Sequence, residues 1–183
     1  IDADGDGITW EYYQYNEHCR YYFDGNEEHT SADDWIVSPP VSLTAGTTYR
    51  IKAKHKSGHT GPDPDLTLTY ALYASTDKSA AGLAAGTLVA DLSGGAHSEE
   101  VLWFTPSESG SYYFGIHTDA VDPDWGYIEF SSFEVKENVP IPAAVSDLKV
   151  CKAAGARDAV LSWTLPLALD EDGFELPEGV AVS

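Results

Sequence analysis

Basic side chains are scarce in this 183-residue chain, which has 10 lysines and arginines against 30 aspartates and glutamates and a formal charge of −20. Such a charge repels the phosphate backbone of nucleic acids and the anionic surface of membranes, so we predict neither as a partner. Long apolar runs are also lacking. None approaches the roughly 18 residues of a membrane span, so no membrane insertion is predicted. Cations are the expected partners.

Cysteine and the common catalytic motifs are nearly absent. Cys19 and Cys151 are the only cysteines, which excludes a disulfide framework and a cysteine zinc site, and we predict that both are unpaired. The histidines form no HExxH motif, and residues 57–59 lack the pattern of a nucleophile elbow. No carboxylate is set apart in an apolar segment, as a glycosidase acid would be. We therefore predict that the chain is not an enzyme.

The first residues carry the most informative motif of the chain. Asp2, Asp4 and Asp6 alternate with Ala3 and two glycines, and an aromatic segment follows. Hard divalent cations bind several oxygen ligands at once, and glycine allows the tight turn that brings carboxylates together. The spacing is not that of an EF-hand, because position twelve is Tyr13 instead of a bidentate glutamate. We predict a calcium site that fixes the start of a strand; the alternative is a solvated acidic turn.

Alternation of apolar and polar residues dominates the rest of the chain. In residues 49–56 the even positions are all basic, which predicts a strand whose basic face is opposed by acidic neighbouring strands. Only residues 78–86 could form a short helical turn. The spacing of strands and turns predicts an all-β sandwich. Further strands are predicted at 8–14, 20–23, 35–37, 66–75, 87–92, 99–104, 111–117 and 127–135.

A second acidic segment lies between two predicted strands near residue 120. It combines one imidazole, three carboxylates and an indole: His117, Asp119, Asp122, Asp124 and Trp125. An aromatic face stacks on the apolar face of a sugar ring, while carboxylates accept hydrogen bonds from hydroxyls. The segment is therefore a candidate for a second calcium site or for the rim of a sugar site. The alternative is an acidic connecting loop, because Asp and Pro are common turn formers.

The composition changes at residues 138–144, where two prolines indicate an extended linker. We predict a first domain at 1–137 and a separate segment at 145–183. Strands are predicted in this segment at 145–150 and 158–166, the second with Trp163 facing inward. About 40 residues are too few for an independent sandwich.

Several motifs in the same order give residues 1–137 a resemblance to the cleaved-adhesin, or choice-of-anchor J, type of jelly-roll domain, which occurs in bacterial surface proteins and in the adhesin regions of gingipain-type peptidases. The motifs are residues 2–7 with Trp10, 34–39 followed by 43–46, 70–75, 110–117 and the last strand through Val135. One departure is the pair Ser131 and Ser132, where the family often has Asp-Asp or Asp-Asn.

The resemblance implies a galactose-binding-like jelly roll that binds calcium at the sheet edge. It implies adhesion to carbohydrate or host protein, outside the cell or at the cell surface, in a bacterium similar to the Bacteroidetes. Asp2, Asp4 and Asp6 correspond to the metal positions, and Asp34 is a further candidate from a second loop. The alternative function is a structural spacer attached to a secreted peptidase or glycosidase.

The remaining residues resemble the start of a fibronectin type III domain, an immunoglobulin-like fold. Residues 142–150 are similar to its first strand and residues 160–164 to its second. Because such a module needs about 90 to 100 residues, we expect the chain to be part of a longer multidomain protein. A start at Ile1, without a signal sequence, also leads us to expect a processed or truncated product.

Overall fold

The structure of the protein, a computed structural model, describes residues 1–23, 32–59, 68–93, 98–119, 126–138, 140–142, 147–152, 159–163, 168–170 and 172–177. The chain divides into two compact units, Ile1–Lys136 and Glu137–Ser183. Among the described residues, no helix has the length and hydrophobicity that crossing a membrane requires.

Strands arranged in two sheets form the first unit, as the alternating pattern predicts. They are β1 (Glu11–Tyr13), β2 (His18–Tyr22), β3 (Asp34–Val37), β4 (Val41–Leu43), β5 (Tyr49–His59), β6 (Tyr70–Ser75), β7 (Thr87–Asp91), β8 (Ser98–Phe104), β9 (Gly110–Thr118) and β10 (Gly126–Glu137), with one short helix, α1 (Ala80–Ala84). One sheet has the order β1-β2-β10-β5-β8, and the other has the order β3-β9-β6-β7, with β4 also paired to β9. The predicted all-β sandwich is confirmed.

The hydrophobic core lies between the two sheets. Ile51 and Ala53 of β5 are fully buried, and Phe114 and Ile116 of β9 belong to the same cluster. The rings of Phe104 and Phe114 meet edge to face across the gap, with centroids 5.8 Å apart. Every second residue of these strands therefore supplies the core.

The basic outer face of β5 meets acidic residues on both neighbouring strands. Lys52 Nζ lies 3.7 Å from Glu99 Oε1 on β8. Lys56 Nζ lies 2.6 Å from Glu129 Oε2 on β10. The predicted opposition of charges across strands is confirmed, and such pairs stabilise a sheet modestly.

A second, smaller apolar cluster lies on the outer face of the β9 sheet, where α1 packs. Ser79 caps this helix by accepting a hydrogen bond from the Gly82 amide at 3.0 Å, and Leu83 is fully buried beneath it. Gly115 faces this cluster because its neighbours Phe114 and Ile116 face the core. The absence of a side chain at Gly115 lets the helix approach the sheet.

We expect Gly115→Ala to destabilise the protein by about 1–3 kcal/mol, the usual cost of overpacking. A Cβ at this position would lie 2.9 Å from both Leu83 methyl groups and from Trp35 Cε3. Urea unfolding measures the loss. Gly110→Ala on the same strand is the control, since a Cβ there meets nothing within 4 Å. Equal losses in the two variants would contradict this account.

Strand β10 changes phase at Ser131 and Ser132. Before this pair Phe130 is buried in the core, and after it Phe133 and Val135 pack against the same core. Three positions separate Phe130 from Phe133, whereas regular alternation allows two, and both serines are exposed. The burial pattern of the strand therefore shifts by one residue at this pair. The serine pair that departs from the family pattern therefore marks a local irregularity of the strand.

The second unit contains two two-stranded antiparallel sheets. The strands are β11 (Pro140–Pro142) paired with β14 (Ala168–Asp170), and β12 (Lys149–Lys152) paired with β13 (Ala159–Ser162). β11 lies within the segment predicted as a linker. Trp163 was predicted to face inward, but 52% of its surface is exposed. The prediction that this side chain faces inward is therefore wrong. Both Cys19 and Cys151 are free thiols, as predicted.

Candidate metal site and neighbouring residues

The loop at residues 2–7 is held by hydrogen bonds from its own backbone to Asp2. The Gly5 amide donates to Asp2 Oδ1 at 2.6 Å, and the Gly7 amide donates to Asp2 Oδ2 at 3.1 Å. Both glycines have positive φ angles, 76° and 88°. Only glycine adopts this conformation without strain, so the sequence pattern determines how the loop folds.

The other two aspartates of the loop form shorter turns. Asp4 Oδ1 accepts a hydrogen bond from the Asp6 amide at 3.2 Å, and Asp6 Oδ1 accepts one from the Ile8 amide at 2.7 Å. As a result Asp2, Asp4 and Asp6 can each present an oxygen, and these oxygens lie within 4.8 Å of one another. Calcium binds oxygens at about 2.3–2.6 Å, so one ion can touch ligands that are about 5 Å apart. The three carboxylates therefore fit a hard divalent cation.

The loop is attached to the start of β3. Asp2 and Asp34 form an antiparallel bridge, and the Ala3 amide donates a hydrogen bond to the Asp33 carbonyl at 3.2 Å. The indole Nε1 of Trp10 reaches the Asp34 carbonyl at 3.5 Å. These contacts place the backbone of Asp34, the fourth predicted metal residue, beside the loop, but its carboxylate does not belong to the group of oxygens that lie within 4.8 Å of one another.

Asp34 is a buried carboxylate with an unusual environment. Its side chain is fully buried, and neither carboxylate oxygen has a hydrogen-bond partner with acceptable geometry among the described residues. Burial raises the pKa of Asp34 to about 6; the facing Tyr21 hydroxyl lowers it in part, and the charges of Asp4, Asp2 and Asp6 raise it further. Burial and Asp34 together also raise the pKa of Tyr21. Four acidic groups thus share one corner of the sandwich, with like charges facing each other.

The second predicted site is only partly described. The His117 ring stacks on Trp35, with centroids 4.2 Å apart and planes at 16°, and its Nε2 lies 2.7 Å from Asp33 Oδ1. Asp119 Oδ1 instead accepts a hydrogen bond from Thr69 Oγ1 at 2.7 Å. His117 and Asp119 therefore contact different residues. The predictions for Asp122, Asp124 and Trp125 fall outside the described residues.

A buried histidine that the sequence does not single out lies in the core. His55 Nδ1 is 2.7 Å from the Tyr70 hydroxyl, and its Nε2 is 3.6 Å from Glu100 Oε1. Burial lowers the pKa of His55, and Glu100 opposes this change. The ring also stacks on Phe130, with centroids 5.4 Å apart. His55 joins the two sheets through a polar contact, and its place on an alternating strand is the only sequence signal for that role.

Comparison with known proteins gives structural neighbours only. No protein-family model and no curated protein matches the sequence. The K1 cleaved adhesin domain of Lys-gingipain from Porphyromonas gingivalis W83 is similar, with a TM-score of 0.56 and 19% identity, over 76% of this chain and 89% of that one. The K3 domain of the same protein has a TM-score of 0.53 and 16% identity, over 74% and 89%. The resemblance to cleaved adhesin domains is confirmed for the fold.

Proposed function

We propose that the chain is a calcium-binding, noncatalytic recognition module of an extracellular or cell-surface protein. The observation that carries the proposal is the convergence of Asp2, Asp4 and Asp6 in front of the buried Asp34 carboxylate. A divalent cation neutralises this cluster, and oxygen-only ligands favour calcium or magnesium over softer metals. Asp2, Asp4 and Asp6 would hold the ion, and Asp34 would supply charge behind it.

The ion has a structural role in this proposal. The loop leads directly through Ile8 and Trp10 into β1, the edge strand of the first sheet. Trp10 packs edge to face on Tyr21 and on Phe130, with centroids 5.9 Å away in both cases. Calcium would therefore fix the start of β1 against the core, and it would stabilise the folded state by mass action.

Recognition of carbohydrate or of an extracellular protein is the function that we assign to the surface, within a longer multidomain chain. The adhesin origin of the structural neighbours supports it. The alternative is a spacer attached to a secreted peptidase or glycosidase, with calcium as its only ligand. An exposed tyrosine, Tyr12, beside a cleft with polar groups at its mouth favours recognition over the spacer.

Thermal unfolding in excess chelator and in millimolar calcium tests the metal site. Free calcium about tenfold above Kd should add about 1.4 kcal/mol to the free energy of unfolding. In a chain of this size, each kcal/mol raises the melting temperature by roughly 2–4 °C. In the double variant Asp4→Asn, Asp6→Asn the rise should disappear, because asparagine keeps the turn but removes the charge.

The matched control is Asp77→Asn, Asp91→Asn. These two aspartates also accept backbone hydrogen bonds, from Ser79 at 2.9 Å and from Ser93 at 3.0 Å, and they lie outside the loop. The control removes the same amount of charge and should keep the full response to calcium. An absent response in the unmodified chain, or an equal response in both double variants, would refute the metal site.

A further inference from the structure

A cleft opens at one edge of the sandwich, between the β2–β10 side of the first sheet and the β3 edge of the second. Its volume is about 350 Å³. Core residues Phe114, Ile116 and Phe130 form its floor together with Phe133, which packs against the core. The exposed serines Ser131 and Ser132 also line it. An apolar floor with a few polar groups around it is the usual composition of a ligand site.

One wall of the cleft is an unpaired strand edge. β2 pairs with β10 only from Tyr127 to Phe130, whereas β10 continues to Glu137. Over the stretch from Ser131 to Val135, no strand of the described residues pairs with β10 on this side. At about 3.4 Å per residue the stretch is about 17 Å long. Such an edge offers a row of backbone donors and acceptors to an added strand.

The opposite wall is fixed and lacks comparable donors. The Ser38 amide donates to the Phe114 carbonyl at 2.9 Å, and the Phe114 amide donates to Ser38 Oγ at 2.9 Å. These bonds tie the connection between β3 and β4 to β9. Pro39, which lines the cleft, and the adjacent Pro40 have no backbone N–H group. A segment in the cleft would therefore pair with β10, and the fixed wall makes the cleft preformed.

The charge around the cleft favours a ligand that carries basic residues. Glu17 lies at the mouth, and no lysine or arginine is among the residues that line it. The net charge of the whole chain is −20, so its field attracts cations. An occupant that combines an apolar side chain with basic flanks would complement both the floor and the mouth.

We propose that this cleft binds an extended segment of another polypeptide, which adds as a strand to the free edge of β10. The segment places one aliphatic or aromatic side chain on the floor and carries lysine or arginine beside it. Backbone hydrogen bonds provide affinity, and the floor provides specificity. This assignment rests on the proposed recognition function, because it names the partner class and the surface that binds it.

Selection of phage-displayed random dodecapeptides on the full chain in calcium, at 150 mM salt, tests the proposal. Enriched peptides should share an apolar residue next to lysine or arginine. A synthetic enriched peptide should bind at least tenfold more weakly to Ser132→Arg, which places a cation in the cleft. It should bind within twofold to the control Ser111→Arg, another exposed serine. Unchanged melting temperatures establish that both variants are folded.

Methylation of the peptide backbone separates strand addition from charge attraction. N-methyl groups on one alternate set of peptide amides should weaken binding at least tenfold, and those on the other set should not, because only one set faces β10. No enrichment over an unrelated acidic protein would overturn the proposal. Equal binding to Ser132→Arg, or an oligosaccharide bound in the cleft instead of peptides, would also overturn it.

The calcium response of the same protein separates the two proposals. If the melting temperature rises with calcium but no peptide is enriched, the cleft assignment fails and the metal site stands. If no rise occurs, the metal part of the proposed function fails, whatever the peptide result.

Discussion

Replacement of Asp34 by asparagine is expected to stabilise the metal-free protein at pH 7.5 by up to about 3 kcal/mol. The difference between its ordinary pKa of 3.8 and the value of about 6 in the folded protein corresponds to this free energy. Asparagine has nearly the same shape and no charge, so it removes the repulsion from Asp2, Asp4 and Asp6. Thermal unfolding in chelator measures the gain.

The pH dependence of this gain has a defined sign. The folded protein keeps a proton on Asp34 up to about pH 6, whereas the unfolded chain releases it near 3.8. Because the folded state binds the proton more tightly, the contribution of Asp34 to stability is complete below pH 3.8 and is lost as the pH rises through 6. The difference in melting temperature between Asp34→Asn and the unmodified chain should therefore be small at pH 4 and large at pH 7.5.

The two proteins should also respond differently to calcium. An ion bound by Asp2, Asp4 and Asp6 turns the negative charge of Asp34 from a cost into a benefit, so calcium should raise the melting temperature less in Asp34→Asn. Asp33→Asn is the control, because its carboxylate is exposed and contacts His117. Exposed pairs contribute only about 0–1 kcal/mol. A stability gain for Asp34→Asn that is the same at every pH would contradict the electrostatic explanation.

Truncation of Leu83 to alanine is the second large expected effect, a loss of about 2–5 kcal/mol. Leu83 is fully buried in the outer cluster and exposes no surface to solvent. Its methyl groups would collide with any side chain at Gly115, which shows how closely the helix lies on the sheet. A five-residue helix has little stability of its own, so α1 depends strongly on the packing of Leu83 against the sheet.

Leu88→Ala is the matched control for Leu83→Ala, because it removes the same atoms from a leucine that is 55% exposed. Its expected loss is below about 1 kcal/mol, as for most surface substitutions. Urea unfolding of the two variants and of the unmodified chain measures the difference. Similar losses for both leucines would mean that the outer cluster contributes little to stability.

The fold of the first unit could be predicted from the sequence because its strands alternate clearly. Residues 49–56 were predicted as a strand and lie in β5, and the helical turn within 78–86 is α1. The short β4 was not predicted, because Val41–Leu43 is too short to show a period. Trp163 was misjudged, since alternation identifies one face of a strand but does not reveal whether another layer covers it.

The candidate metal residues could be identified from their spacing in the sequence. The environment of their side chains could not be predicted. The glycines at 5 and 7 predicted a tight acidic loop. In the structure the amides of these glycines donate hydrogen bonds to the Asp2 carboxylate and close such a loop. The sequence holds no signal that Asp34 is buried, because its burial depends on Tyr21 and on a loop that is distant in sequence. The change of phase at Ser131 had a visible signal: the apolar residues at 128 and 130 continue at 133 and 135, one step out of phase.

The position of β10 also determines when the first sheet can form during folding. β10 lies between β2 and β5, and its pairing with β2 joins Tyr22 to Tyr127, residues that are far apart in sequence. Until the chain through Glu137 has been synthesised, β2 and β5 have no strand between them. Pairing over such distances in sequence is slow. The first sheet therefore cannot be completed before β10 has been synthesised, although the β1–β2 hairpin and the β5–β8 pair consist of strands that precede it.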